Sequence, residues 1–124
     1  MKETIKSFTD LRTWQEGHRI VIAIYRMTRM FPKEEAFGLS SQLRRAAVSF
    51  TSNIAEGFSR ATKRDKAHFY TIALGSLTEV QNQIIIARDV GLLGAIESDD
   101  LLRASIELHK MTNGLMKYVV SRDS

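Results

Sequence analysis

Apolar residues recur at three- and four-residue spacing over four stretches of this chain, and apolar–polar alternation of the strand type is nowhere sustained. The clearest stretch runs from about Leu39 to Phe58, where Leu39, Leu43, Ala46, Ala47, Phe50 and Ile54 make one helical face. Gln42, Arg45, Ser49, Asn53 and Glu56 follow the same period one step round, so a polar stripe flanks the apolar one. Polar groups beside a core face usually hydrogen-bond to a neighbouring helix, so Asn53 and Glu56 are expected to be largely buried, with Arg12 or Lys63 as partners for Glu56. The stripe is either a structural network or a recognition surface.

The other three stretches are bounded by local signals. The first runs from about Asp10 to Met30, with Thr9 or Asp10 as N-cap, Leu11, Trp14, His18, Val21, Tyr25 and Thr28 as its inner face, and Phe31-Pro32 as its stop. The third runs from about Lys63 to Val90, opened by Thr62 with Asp65 and closed by Gly91. Its inner face reads Phe69, Ile72, Ala73, Ser76, Leu77, Val80, Ile84 and Ala87, and Gly75 is expected to admit a neighbouring helix. The fourth runs from about Asp99 to Val120, capped by Ser98, with a seam of Leu101, Leu108, Met111, Leu115 and Tyr118. Four long helices with short loops predict an all-α fold, an antiparallel up-down-up-down four-helix bundle forming one domain over residues 1–124.

Two of these helices are apolar too far round for a lone bundle. Ile20, Ile22 and Ile24 lie in one, and three consecutive isoleucines, 84–86, in the other. At about 100° per residue, three in a row sweep about 200° of the helix. Ile20, Ile22, Ile24, Ile85 and Ile86 are therefore the expected contacts between subunits of a homo-oligomer.

Charge adds a direction. The chain of 124 residues carries net +4, and its halves differ: residues 1–66 hold 13 Lys and Arg against 7 Asp and Glu, the remainder 5 against 7. In the predicted topology Lys2, Lys6, Arg12, Arg60, Lys63, Arg64, Lys66, Lys117 and Arg122 gather at one end, against Glu3, Asp10, Glu56, Asp65 and Asp123. A polyanion, RNA foremost, is the partner this implies, with Arg60, Lys63, Arg64 and Lys66 on phosphates and Arg44 and Arg45 either joining them or bridging subunits. Tyr70 and Phe58 are the only aromatic candidates for base stacking near that end. The competing reading is a protein-interaction scaffold whose apolar and polar stripes dock a partner protein.

Catalytic patterns are missing. The chain has no cysteine, which excludes a thiol nucleophile and fits a reducing, cytoplasmic setting. His18, His68 and His109 stand singly, without the spacing of a bundle metal site; His18, beside Trp14, reads as a core histidine. No Gly-rich phosphate loop and no nucleophile–base pair is present, and with no apolar run in the first ten residues and none near about 18 residues elsewhere, neither a signal peptide nor a membrane span is expected. The expectation is a non-enzyme with no metal and no cofactor.

Five segments carry a family likeness: F-T-D-L-R-T-W-Q at 8–15, I-Y-R-M-T at 24–28, F-P-K-E-E-A-F-G-L-S-S-Q-L-R-R-A-A-V-S-F at 31–50, S-N-I-A-E-G at 52–57 and F-Y-T-I-A-L-G-S-L-T-E at 69–79. In order and spacing they resemble the bacterial four-helix-bundle proteins encoded in intervening sequences of 23S ribosomal RNA. Gln42, Arg44, Arg45, Ser49, Asn53, Glu56, Gly57, Arg60, Gly75, Ser76 and Glu79 stand at motif positions; Phe50 replaces an expected Ile, a change of volume rather than chemistry. The resemblance implies a left-handed bundle in a ring-like homopentamer, with no established enzymatic activity. It also implies kinship with the accessory protein of diversity-generating retroelements, a basic pentameric bundle that binds nucleic acid and a reverse transcriptase.

Overall fold

The computed structural model describes residues 4–121 and holds four α-helices: α1 (Arg12–Thr28), α2 (Leu39–Ser59), α3 (Lys63–Asp89) and α4 (Ala95–Ser121). Short 3₁₀ turns at Phe8–Asp10 and Lys33–Glu35 precede α1 and α2, and no strand occurs among the described residues. Lys2, Glu3, Arg122 and Asp123 lie outside the described residues.

Local chemistry sets the ends. The N-terminal capping box belongs to the 3₁₀ turn, where Ser7 Oγ accepts from Thr9 N and the Asp10 carboxylate accepts from Lys6 N and Ser7 N. α1 then starts at Arg12 with Leu11 as an uncapped N-cap, two residues later than expected. Thr62 Oγ1 accepts from Asp65 N to cap α3. Beyond α3, Gly91 takes φ 83°, and Gly91 N and Leu92 N donate to Arg88 O and Ala87 O, a Schellman termination. α4 begins at Ala95, so Ser98 is no cap; it is buried in the first turn and donates to Ala95 O.

α2 and α3 carry most of the core: Leu43, Phe50, Ile54, Tyr70, Leu77 and Ile84 are fully buried, joined by Ile24 of α1 and Leu108 of α4. Two glycines set how closely the helices approach. A Cβ on Gly17 of α1 would stand 2.5 Å from Phe50 Cε2, and one on Gly57 of α2 would stand 2.6 Å from Tyr70 Cε1. Each glycine thus receives the flank of an aromatic ring from the next helix.

These contacts turn α1 relative to expectation. Its buried face is Thr13, Gly17, Ile20, Ile24 and Thr28, because Phe50 must meet a residue without a side chain. Ile20 and Ile24, expected between subunits, are core residues of their own chain, 6% and 0% exposed. Ile22, Ile85 and Ile86 do reach the surface. His18 is exposed, stacked on half-buried Trp14 with ring centroids 4.8 Å apart, rather than a core histidine. On α3, Tyr70 takes the inner place expected of Phe69 and Ile72, and Ile72 is exposed. Gly75 admits no neighbour: nothing lies within 4 Å of where its Cβ would be. On α4 the buried seam is Ser98, Ser105, Leu108 and Thr112, and Tyr118 is exposed. Each of these hydroxyls donates to a carbonyl three or four residues earlier on its own helix, which makes burial of small polar side chains tolerable.

Two alanine substitutions should separate packing from propensity. Gly17→Ala should destabilise the fold by roughly 1–3 kcal/mol, since overpacking against Phe50 exceeds the gain in helix propensity. Gly75→Ala, in open space, should stabilise it by up to about 1 kcal/mol. Urea unfolding followed by circular dichroism reads both, and opposite signs are expected.

Candidate functional site

Two regions gather the residues singled out by the sequence. The first is an end of the molecule where the start of α1, the end of α2, the start of α3 and the end of α4 line one hollow of about 530 Å³, with Leu11, Phe58, Lys63, Lys66, Leu115 and Tyr118 in its wall. The basic side chains here differ in how far their own chain already holds them. Lys66 Nζ donates to Phe58 O at 2.7 Å and Gly57 O at 3.4 Å, placing a cation on the terminal carbonyls of α2. Burial lowers its pKa from the ordinary lysine value. Arg60, the C-cap of α2, pairs with Glu56 at 2.7 Å and lays its guanidinium 4.7 Å from the Phe69 ring centre. Lys63 is half-buried, and Arg64 is exposed with no ion pair among the described residues. Tyr70 is 1% exposed, and burial raises its pKa, so its ring cannot stack on a base.

Arg44 and Arg45 lie elsewhere, in the first half of α2. Arg44 Nε donates to Thr28 Oγ1 at 2.8 Å and its guanidinium sits 4.7 Å from the Tyr25 ring centre, tying α2 to α1. Arg45 is exposed.

The second region is the polar flank of α2 against α3. Ser49 Oγ and Ser76 Oγ are 2.7 Å apart, a direct link between the helices. Asn53 is half-buried and bonds within α2, its Nδ2 donating to Ser49 O at 2.8 Å. Glu56 is exposed, and Arg60, one turn on, is its partner in place of Arg12 or Lys63. The expectation of a buried Asn53–Glu56 network bonded to another helix is therefore corrected. Among the described residues the stripe's interhelical bond is made by Ser49, and α2 runs on through Ser59 and puts Arg60 in i,i+4 register with Glu56.

Further along this flank a polar hollow of about 330 Å³ opens between α2 and α3, lined by Phe37, Ser41, Gln42, Arg45, Ala46, Ser49, Glu79 and Gln83. Gln42, Arg45, Ser49 and Glu79 are motif positions of the sequence. Gln83 escaped notice because an apolar-face count passes over an amide. Yet it is buried, 7% exposed, and its Oε1 has no hydrogen-bond partner among the described residues. Position 83 completes the Ser76–Val80–Gln83–Ala87 buried row, and that spacing was the available signal. No group of three or more His, Cys, Asp or Glu side chains is placed to hold a metal among the described residues, and no helix there is long and apolar enough to cross a membrane.

Residues 9–114 match the family model of the 23S rRNA-intervening sequence protein. No curated protein gives a significant match. Among solved structures, the fold is similar to a crystal structure from Bacteroides thetaiotaomicron VPI-5482, described as a protein of unknown function from the S23 ribosomal protein family. The TM-score is 0.79 at 17% identity, covering 85% of this chain and 98% of that one.

The geometry separates structural from surface charge. Lys66→Met keeps the aliphatic stem but leaves the α2 carbonyls without their cation, and should cost roughly 0.5–1.5 kcal/mol in urea unfolding. Glu56→Gln breaks an exposed pair and should change stability by less than about 1 kcal/mol. A larger loss from Glu56→Gln than from Lys66→Met would invert this ranking.

Proposed function

This chain belongs to the 23S rRNA-intervening sequence protein family, and we propose that it is a non-catalytic, oligomeric RNA-binding protein of the cytoplasm that engages RNA through its basic end. The single observation that carries this reading is the convergence around one hollow of Lys63 and Lys66 with the terminal turns of all four helices. Those turns and the segments beside them bring Lys6, Arg12, Arg60, Arg64 and Lys117 as well, against Asp10, Glu56 and Asp65 among the described residues. An antiparallel up-down-up-down bundle underlies that convergence. The neighbour pairs Gly17–Phe50 and Thr28–Arg44, then Ser49–Ser76 and Gly57–Tyr70, support it, since one number rises as the other falls.

Within this reading the phosphate contacts fall to Lys63 and Arg64 first. Lys66 and Arg60 already serve α2 and Glu56, and contribute field more than direct contact. With Tyr70 buried and Phe58 under the Lys66 ammonium, 5.4 Å from its ring centre, neither ring expected from the sequence is open to a base, and Tyr118, exposed in the same wall, is the aromatic side chain this end presents. Binding is therefore backbone-driven, salt-sensitive and weakly sequence-specific. Self-assembly rests on Ile22, Ile72, Ile85 and Ile86, each exposed by 38–41%. A ring of five, as the family resemblance implies, would present five basic ends together and raise avidity through effective concentration.

Lys63→Gln with Arg64→Gln should make the slope of log K against log salt shallower by about 1.4 on single-stranded RNA, at about 0.7 per contact, without changing the melt. Fluorescence anisotropy reads the slope, and absence of binding at low salt would leave the protein-scaffold reading in its place. Glu introduced at Ile22, Ile85 or Ile86 should dissociate the assembly in at least one case. Sedimentation of the wild type as a micromolar monomer would overturn self-assembly.

A further inference from the structure

We propose that the polar hollow between α2 and α3 is a binding site for one unpaired nucleotide, separate from the basic end. Three features of its wall point to that chemistry. Phe37 stands on the loop before α2, at the rim, 99% exposed. An aromatic ring left wholly in water beside a polar hollow is a platform for a base. Gln83 lines the same hollow with an amide that forms no hydrogen bond with any described residue, its Oε1 buried. That buried oxygen lacks a donor, which the exocyclic amine or ring N–H on the edge of a nucleobase supplies, and the Gln83 Nε2 offers a donor to the same edge; Gln42 adds a second amide nearby. Arg45, exposed in the same wall, is free to take a phosphate. Glu79 also lines the hollow, and its carboxylate suits a ribose hydroxyl or exocyclic amine, not the phosphate. The volume, about 330 Å³, is that of a mononucleotide-sized ligand rather than a folded partner.

Other occupants match less of this wall. An apolar peptide side chain would satisfy Phe37 and leave the amide unpaired. A bare anion would satisfy Arg45 and face the Glu79 carboxylate.

The test titrates the full-length, isotopically labelled protein with AMP, GMP, CMP and UMP and follows side-chain amide and backbone resonances. At least one mononucleotide should give saturable shifts at Gln83, Gln42 and Phe37. Gln83→Leu and Phe37→Ala should each weaken that binding about tenfold or more. Gln83→Leu removes an unpaired polar group, so its melt should be unchanged or higher, and lost binding there cannot come from lost fold. Lys63→Gln with Arg64→Gln should leave mononucleotide binding intact, which keeps this site distinct from the basic end. Absence of saturable shifts with all four nucleotides, or variants that bind like wild type, would overturn the proposal. So would ribose 5-phosphate binding as tightly as the nucleotides, which would make the hollow an anion site at Arg45.

Discussion

The packing of two aromatic rings onto two glycines is the constraint from which the rest of the structure follows. Phe50 fits over Gly17 and Tyr70 over Gly57, at separations that leave no room for a methyl group. Phe50 and Gly57 both belong to α2, so this helix is gripped on one side by α1 and on the other by α3. Rotation of α2 about its axis would drive a ring into backbone at both contacts. The orientation of its polar flank is thereby fixed: Ser49 must meet Ser76, and Gln42 and Arg45 must face the open side of α3. The buried seam of α4 sets Leu108 among Ser98, Ser105 and Thr112, and a groove of about 800 Å³ runs between α4 and α1. The sparse contact is thus the one between α1 and α4, while α4 packs extensively against α3.

The same lock explains why charge at the basic end divides into two kinds. Seating Tyr70 against Gly57 brings the first turns of α3 under the last carbonyls of α2, and Lys66 is the residue within reach of them. Its ammonium is committed to a helix terminus in a partly desolvated place, where the carbonyl dipoles favour it. Arg60 is held between Glu56 and the Phe69 face. Earlier in the first turn of α3, half-buried Lys63 in the wall of the hollow and exposed Arg64 have no such duties among the described residues. Counting lysines and arginines along the chain treats all of these alike; only the packing sorts them.

How much was legible in the sequence follows from what each residue signals. The four helices and the inner face of α2 were plain because their residues are large and apolar. The capping of α3 was plain because Thr62, Asp65 and Gly91 act locally. On α1 the expected Thr28 is buried and Leu11, Trp14 and Val21 border the core, but the centre of the stripe falls on Thr13, Gly17, Ile20 and Ile24, because Thr13 and Gly17 carry little hydrophobic weight while exposed Tyr25 carries much. On α4 the expected Leu108 is core and Leu101 and Leu115 pack against it, whereas buried Ser98, Ser105 and Thr112 satisfy their own hydroxyls and read as surface in the sequence. In the candidate sites, residue types were legible but partners were not. A helix ending at Phe58 offers Glu56 no partner of its own, whereas the helix that runs to Ser59 brings Arg60 into register with it. The burial of Gln83 is legible only in its spacing from Ser76, Val80 and Ala87, because an amide carries no hydrophobic weight of its own.

A rigid α2 also couples the two proposed surfaces. Arg45 borders the polar hollow and Arg60 the basic end; fifteen residues of helix at 1.5 Å each put them about 22 Å apart along the axis. Because both helix contacts that fix α2 lie between or beside these points, that separation cannot relax to suit a ligand. A strand short enough to occupy only one surface gains one set of contacts. A strand long enough to bridge them meets the second surface at high effective concentration and gains both, with no new contact type. The path between runs along Ser49, Asn53 and Glu56, a polar flank that offers hydrogen bonds and one carboxylate but no free cation, since Arg60 already neutralises Glu56. Affinity should therefore step up at a threshold of strand length rather than rise evenly per nucleotide, a behaviour that a uniformly basic surface would not produce.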